Sequence, residues 1–379
     1  MMSKIDEELA ERAYKGKISK EDALLLLNTD PFELFRFADD LRYEVVGDIA
    51  TYVVNRNINF TNRCIGRCGF CAFKDNNGYI LTNKEILEKV EEAFKAGATE
   101  VCIQGGLLPN AGIELYTGIL ESVKEEYPSI HIHAFSPMEV YHAARTSELS
   151  IKQVLYELKK SGLGTMPGTA AEILCDHVRK ELCPGKLLTA EWIDVVSSAH
   201  KAGIRTTATM MYGHIESWKD RIEHMMILRD LQENTGGFTE FVPLPFMPYN
   251  NPIGKRMIEE GRYATTGMDD LKVYALSRII FYRSINNIQA SWVKLGKKLA
   301  QVALYCGAND LGGTLMEESI SAAAGATNGT SISAQELEWL IKGANRIPKQ
   351  RTTLYEIDKT ENSSLNNHPR EAGNAVFYS

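Results

Sequence analysis

The sequence predicts an α/β chain folded as a (β/α) barrel of the TIM type, with eight units behind an N-terminal helical cap. Three observations predict it. From Tyr52 onward, short β-rich runs alternate with helix-length amphipathic segments, the alternation that specifies a parallel sheet. Seven or eight such units suit a barrel; a doubly wound sheet usually carries a glycine-rich nucleotide fingerprint, and neither G-x-G-x-x-G nor G-x4-G-K-S/T occurs. With 379 residues and 44% hydrophobic content, the chain can bury a core of that size.

Taken in order, the cap spans residues 1–50. Ser19 reads as a helix cap with Asp22 reaching back, ahead of the apolar run Ala23 to Leu27. Pro31, suited to a first helical position, opens a second helix to about Val46. The simplest role for this cap is to cover the open bottom of a barrel. The barrel is expected over residues 51–345, with strands at Val53 to Phe60, Glu100 to Gln104, Ile130 to Phe135, Gly164 to Pro167, Ile204 to Met211, Phe238 to Pro243 and Ile288 to Val293. An eighth is placed near Val302 to Leu311. Helices fall between them, the first opened by the capping box Thr82-Asn83-Lys84-Glu85. Residues 346–379 form a C-terminal extension whose polar tail begins at Lys359.

A formal net charge of -7 and a pI near 5.7 argue against nucleic acid as the partner, because phosphate binding relies on basic patches. The charged start Met1 to Glu8 lacks the apolar run of a signal peptide, and no stretch approaches the length of apolar chain needed to span a membrane. A cytoplasmic location without membrane contact is expected, and the unpaired cysteines suit a reducing compartment.

The chemistry concentrates between Asn59 and Phe73, where Cys64, Cys68 and Cys71 lie in a C-x3-C-x2-C arrangement. A disulfide framework wants an even count in a short secreted chain, and zinc usually takes two Cys or His pairs. No second pair exists, since Cys102, Cys175, Cys183 and Cys306 are singletons. Three thiolates on one loop leave a four-iron cluster with one iron open to a small molecule. A structural metal or chance clustering remains the bland reading.

The run Cys64-Ile65-Gly66-Arg67-Cys68-Gly69-Phe70-Cys71 resembles the signature of the radical S-adenosylmethionine (SAM) superfamily. That resemblance implies a 4Fe-4S cluster ligated by Cys64, Cys68 and Cys71, with SAM chelated at the open iron. Asn59-Phe60-Thr61-Asn62 and Cys71-Ala72-Phe73 resemble the branch that holds deazaflavin and menaquinone-pathway enzymes.

In a barrel the active site lies at the C-terminal ends of the strands. Gln104-Gly105-Gly106 follows the second strand; by resemblance it stands where the superfamily receives SAM's amino group, though a turn alone also explains two glycines. Phe70 is implied to contact SAM's adenine. Glu172 and Arg179 are implied to hold its ribose and carboxylate, a surface salt bridge being the alternative. His131 and His133 share one face of the third strand by alternation. Tyr212 and His214 follow the fifth strand, and Glu240 is an acid in the apolar sixth, where it needs a partner or a ligand. Asp310 lies near the last strand, as do Gln289 and Ser291. His131, His133, Tyr212, His214, Glu240 and Asp310 supply the candidate catalytic groups.

Longer segments, among them His133 to Pro137, Pro167 to Glu172, Met211 to His214, Thr235 to Leu244 and Asp310 to Glu318, resemble the second-subunit family of FO synthase. The resemblance implies transfer of a 4-hydroxybenzyl group from L-tyrosine to 5-amino-6-(D-ribitylamino)uracil, a second radical SAM subunit as partner, and a reductant protein. Relatives of the menaquinone route, aminodeoxyfutalosine synthase and dehypoxanthine futalosine cyclase, share several of these runs. A non-catalytic iron-sulfur or zinc binding module is the reading from another class.

Overall fold

Strands β1 (Ile49–Val53) and β2 (Asn55–Asn59) form one extended run broken only at Val54, and the remaining sheet is laid out from it. A computed structural model describes residues 5–357. The polar tail expected from Lys359 lies outside the described residues. Strands β3 (Glu100–Gln104), β4 (His131–Ala134), β5 (Thr165–Met166), β6 (Arg205–Tyr212) and β7 (Phe238–Pro245) follow β2 in a six-stranded parallel sheet. A second parallel sheet has the order β8-β1-β9, with β8 at Asp310–Gly313 and β9 at Ile347–Gln350. Parallel bridges from Phe241 to Ile288 and from Gln289 to Asp310 join the two sheets, so the strands curl round and return to the first run.

Local chemistry explains the elements. β-branched Val101 and Ile103 are fully buried in β3 and pair in register with Arg56 and Ile58 of β2. Capping boxes start the helices Asn83–Lys95, Pro137–Thr146, Ile151–Lys160, Trp218–Thr235 and Gly267–Ile280, each with Ser or Thr at the cap and an acid or Gln three residues on.

The structure corrects several sequence expectations. The seventh strand shrinks to the bridged residues Ile288 and Gln289, because Trp292–Leu295 turns helical. The eighth begins at Asp310, since Lys297–Ala303 is a helix. Pro137–Thr146 is a helix beyond those expected, opened by the capping box of Ser136 with Glu139. The helices Asp176–Leu182 and Pro252–Glu259, and strand β9, were likewise not expected.

The N-terminal helices Lys20–Leu26 and Pro31–Val46 do not cover the barrel bottom. They pack on the outer helices Trp218–Thr235 and Gly267–Ile280. The bottom is filled by the chain after β9, where Arg351, Thr353 and Tyr355 turn inward onto acids of β3, β7 and β8. No helix of the described residues is long and apolar enough to cross a membrane.

Candidate active site

The loop after β2 is pinned at both ends. The Leu81 N–H donates to the Phe60 carbonyl at 2.8 Å, the Thr61 hydroxyl to the Tyr79 carbonyl at 2.6 Å, and the Asp75 N–H to the Asn62 carbonyl at 3.0 Å. Its inner part is tied to the segment after β3 and to the end of the helix Asp176–Leu182, with the Ile65 N–H on the Leu107 carbonyl and the Gly69 N–H on the Leu182 carbonyl, both at 2.9 Å. These bonds hold Cys64, Cys68 and Cys71 at the mouth of a cavity of about 440 Å³ at the C-terminal ends of the strands.

The donor set fits an iron-sulfur cluster. All three thiols are unpaired and half-buried, and all line the cavity. Cys64 Sγ accepts N–H groups from Gly66 at 3.2 Å and from Leu107 at 3.3 Å, which suits an anionic sulfur. A Cβ on Gly66 would stand 3.1 Å from Cys64 Sγ and 4.0 Å from Cys68 Sγ, so the glycine keeps the space between the sulfurs clear. Burial pushes the Cys68 thiol up to about 12, against the pull of Lys186; that site favours a thiolate only with a metal to hold it. Among the described residues, no three His, Cys, Asp or Glu groups converge on one metal ion. A cluster, which gives each thiolate its own iron, spreads its ligands more widely than one zinc.

The cavity wall carries the other groups expected at the site. Gln104 Nε2 donates to Thr169 Oγ1 at 3.1 Å. Gly105 and Gly106 are required by packing, because a Cβ would run into the Phe60 ring at the first and the Arg63 carbonyl at the second. Glu172 pairs with Lys186 at 2.5 Å, and the Lys186 ammonium lies 5.2 Å from the centre of the Phe70 ring. Arg179, in contrast, is 1% exposed and does not line the cavity. Its guanidinium donates to the carbonyls of Ala170, Ala171, Ile173 and Leu187. Ala170 and Glu172 hold φ of 65° and 45°, sterically costly for residues with a Cβ, and Arg179 braces the loop that aims Glu172.

Of the six candidate catalytic residues, none lines the cavity. His131 and His133 both reach the Thr165 hydroxyl, at 2.8 and 2.7 Å. Burial pushes His133 down to about 4, leaving a neutral ring. Glu240 and Asp310 are ion-paired with Arg351 at the barrel floor. The Tyr212 hydroxyl donates to Asp270 Oδ1 at 3.0 Å, buried outside the cavity. His214 lies 2.8 Å from Glu216; burial works against that carboxylate, but His214, Arg221 and the Gly213 N–H together bring it down to about 2.

Among the polar groups in the wall that are not expected there from the sequence are Glu139, Lys186, Lys294 and Glu318. Glu139 has a signal, the capping box at Ser136, whose N–H and hydroxyl both donate to its carboxylate at 2.7 Å while the Gly105 N–H donates to it at 3.0 Å. Burial pushes its carboxyl up to about 7 despite those donors. Lys186 and Lys294 lie on segments with no motif, and Glu318 only closes the run from Asp310 without a role of its own; the fold brings all three to the cavity.

A parallel barrel with a three-cysteine loop after its first strand defines a radical SAM enzyme. A family model for the Radical SAM superfamily matches residues 58–228, and one for the CofH/MqnC C-terminal region matches residues 235–364. The 5-amino-6-(D-ribitylamino)uracil–L-tyrosine 4-hydroxyphenyl transferase 1 of Methanosarcina acetivorans is 68% identical over 355 residues, covering 94% of this chain and 95% of that protein. The transferase of the same name from Archaeoglobus fulgidus is 58% identical over 86% of this chain and 94% of its own. Among solved structures, methylornithine synthase has a TM-score of 0.69 at 18% identity, covering 90% of this chain and 97% of its own. The hydrogenase maturase HydG of Carboxydothermus hydrogenoformans has 0.71 at 17%, over 92% and 80%. The chain belongs to the radical SAM superfamily and, within it, to the family of these 4-hydroxyphenyl transferases. It is therefore an enzyme, and the scaffold reading falls away.

Proposed function

We propose that this chain couples the 4-hydroxybenzyl group of L-tyrosine to 5-amino-6-(D-ribitylamino)uracil, giving 5-amino-5-(4-hydroxybenzyl)-6-(D-ribitylimino)-5,6-dihydrouracil and 2-iminoacetate. The observation that carries this reading is identity of 68% along nearly the whole of both chains with a relative of that printed name. The cavity suits it physically. Cys64, Cys68 and Cys71 hold the cluster at its mouth, and Phe70, Gln104, Gly105, Gly106 and Glu172 stand beside them to receive SAM. When bound, the reduced cluster and SAM supply one-electron cleavage to methionine and a 5'-deoxyadenosyl radical. The protein's part is to orient the two substrates and keep water out. Met211, Val242, Leu244 and Phe246 line the cavity and offer an apolar wall for the aryl group.

His133, Glu240 and Asp310 are assigned to holding the barrel floor, and Arg179 to bracing the SAM-side loop. A second radical SAM subunit and a reductant protein complete the proposed system, in the cytoplasm, a reducing compartment that suits seven cysteines free of disulfides. The division into cap (1–50), barrel (51–345) and extension (346–379) is retained as a working description.

A menaquinone-pathway role is the second reading, favoured by the shared family description of the C-terminal region. Anaerobically reconstituted protein with SAM and dithionite separates the two. Formation of 5'-deoxyadenosine is expected to depend on tyrosine and the aminouracil; dependence on a futalosine-type substrate or its enolpyruvyl precursor instead makes the second reading correct.

A further inference from the structure

Four cations line the cavity. Arg67 and Lys74 are exposed at its rim, and Lys186 is held by Glu172. Lys294 is half-buried, and no hydrogen bond or ion pair reaches its ammonium among the described residues. Two acids act on it across the space without touching it, Glu318 and Glu172. Both are committed elsewhere: Glu318 accepts from Asn57 Nδ2 at 2.6 Å and the Ser321 N–H at 2.7 Å, and Glu172 from Lys186 at 2.5 Å.

The lysine is not free to wander at its base. It sits on the helical turn Trp292–Leu295, directly after the bridged residues of the seventh strand position. Trp292 Nε1 anchors that turn to the Gly313 carbonyl at 2.9 Å, and Asn328 Nδ2 anchors it to the Val293 carbonyl at 3.1 Å. Burial lowers its proton affinity, the mark of a cation short of a counter-ion. A desolvated ammonium in a ligand cavity is costly until an anion meets it.

We propose that Lys294 is the subsite for the α-carboxylate of the amino-acid substrate, a role that rests on the transferase reading. The aminouracil carries no charge to satisfy it. SAM's carboxylate is the other candidate anion, but the cations on and beside the cysteine loop are Arg67, Lys74 and Lys186, the last of which acts on Cys68. A carboxylate on Lys294 leaves the aryl group of the same molecule to reach the apolar wall at Val242 and Leu244. Recognition is then of an α-amino acid by its head group and of its side chain by shape.

The test is equilibrium binding, by calorimetry, to anaerobic cluster-loaded enzyme with SAM present. L-Tyrosine is compared with tyramine, which lacks the carboxylate, on the wild type, Lys294→Met and Lys294→Arg. Lys294→Met should weaken L-tyrosine by roughly 10- to 100-fold, as expected for a charged hydrogen bond. Tyramine binding, SAM affinity and iron content should not change, and Lys294→Arg should recover most of the L-tyrosine affinity. Unchanged L-tyrosine binding in Lys294→Met, an equal loss for tyramine, or a loss of SAM affinity instead each overturns the assignment. Wild-type enzyme that binds no L-tyrosine overturns the transferase reading, and the identity of the ligand with it.

Discussion

Arg351 Nε lies 2.5 Å from Asp310 Oδ2 at the barrel floor, with both side chains nearly inaccessible to solvent. The same guanidinium reaches Glu240 Oε2 at 3.4 Å, and the Tyr355 hydroxyl donates to that carboxylate at 2.6 Å. The chain after β9 thus neutralises acids that would otherwise be stranded in the core. Removing one partner of such a pair leaves an uncompensated buried charge. Arg351→Met should therefore destabilise the protein by about 3 to 5 kcal/mol, read as a fall in urea or thermal midpoint. Asp310→Asn should lower the midpoint too, while the folded fraction keeps its turnover. A fully stable but inactive Asp310→Asn would show that the residue acts in catalysis instead.

Glu139 gives a pH signature. Its carboxyl moves from an ordinary value of 4.5 up to about 7, mainly through burial, so between those values the folded protein holds a proton that the unfolded chain has released. The stability it contributes is present below the lower value and is lost as pH rises through the upper one. That is a swing on the order of 3 kcal/mol. Glu139→Gln stays neutral throughout, so its stability relative to wild type should rise from about pH 5 to about pH 8. His133 and His224, pushed down to about 4 and about 3 by burial, slope the other way, which is why the difference between the two proteins is the quantity to measure. A difference that does not vary with pH contradicts the assignment.

Gly106 has no room for a methyl group, because its Cβ would overlap the Arg63 carbonyl and crowd Cys64. Gly106→Ala must displace the base of the cysteine loop. Cluster retention after anaerobic reconstitution should fall by roughly tenfold or more, as judged by iron and sulfide analysis. Gly118, which faces open space on the helix Ile113–Glu126, is the control, and Gly118→Ala should load iron like the wild type.

Lys186 links Glu172 to the Phe70 ring in the part of the cavity nearest the cysteines. Lys186→Met leaves Glu172 without its cation. The expected result is about tenfold weaker SAM binding, with Lys186→Arg restoring most of it. Equal SAM affinity in all three proteins would show that the pair serves only the fold.

Much of the framework was legible in the sequence because its signals are local. Capping boxes such as Thr82 with Glu85, β-branched runs such as Val101 to Ile103, and three cysteines within one loop can each be read from neighbours in the chain. The floor could not be read this way. Glu240 stands out in the sequence as an acid that needs a partner or a ligand and Asp310 only as a polar group near the last strand, but Arg351 lies 111 and 41 residues away from them in the chain. Nothing local distinguishes a carboxylate held by a distant guanidinium from one awaiting a substrate. The two-residue seventh strand position was hidden for a similar reason, since Ile288 and Gln289 are extended only because Phe241 and Asp310 flank them. Lys294 carries no motif at all and becomes meaningful only as an unmatched charge in a cavity.

In the proposed reaction the cavity under the cysteine loop joins a tyrosine fragment to an aminouracil. The most direct measurement is mass spectrometry of the product formed by anaerobic, cluster-loaded enzyme from SAM, dithionite, the aminouracil and L-tyrosine labelled with carbon-13 in its ring. The expected product is a coupled adduct that carries the whole labelled ring, formed together with 5'-deoxyadenosine and 2-iminoacetate. An aminouracil recovered without label while 5'-deoxyadenosine accumulates would contradict it.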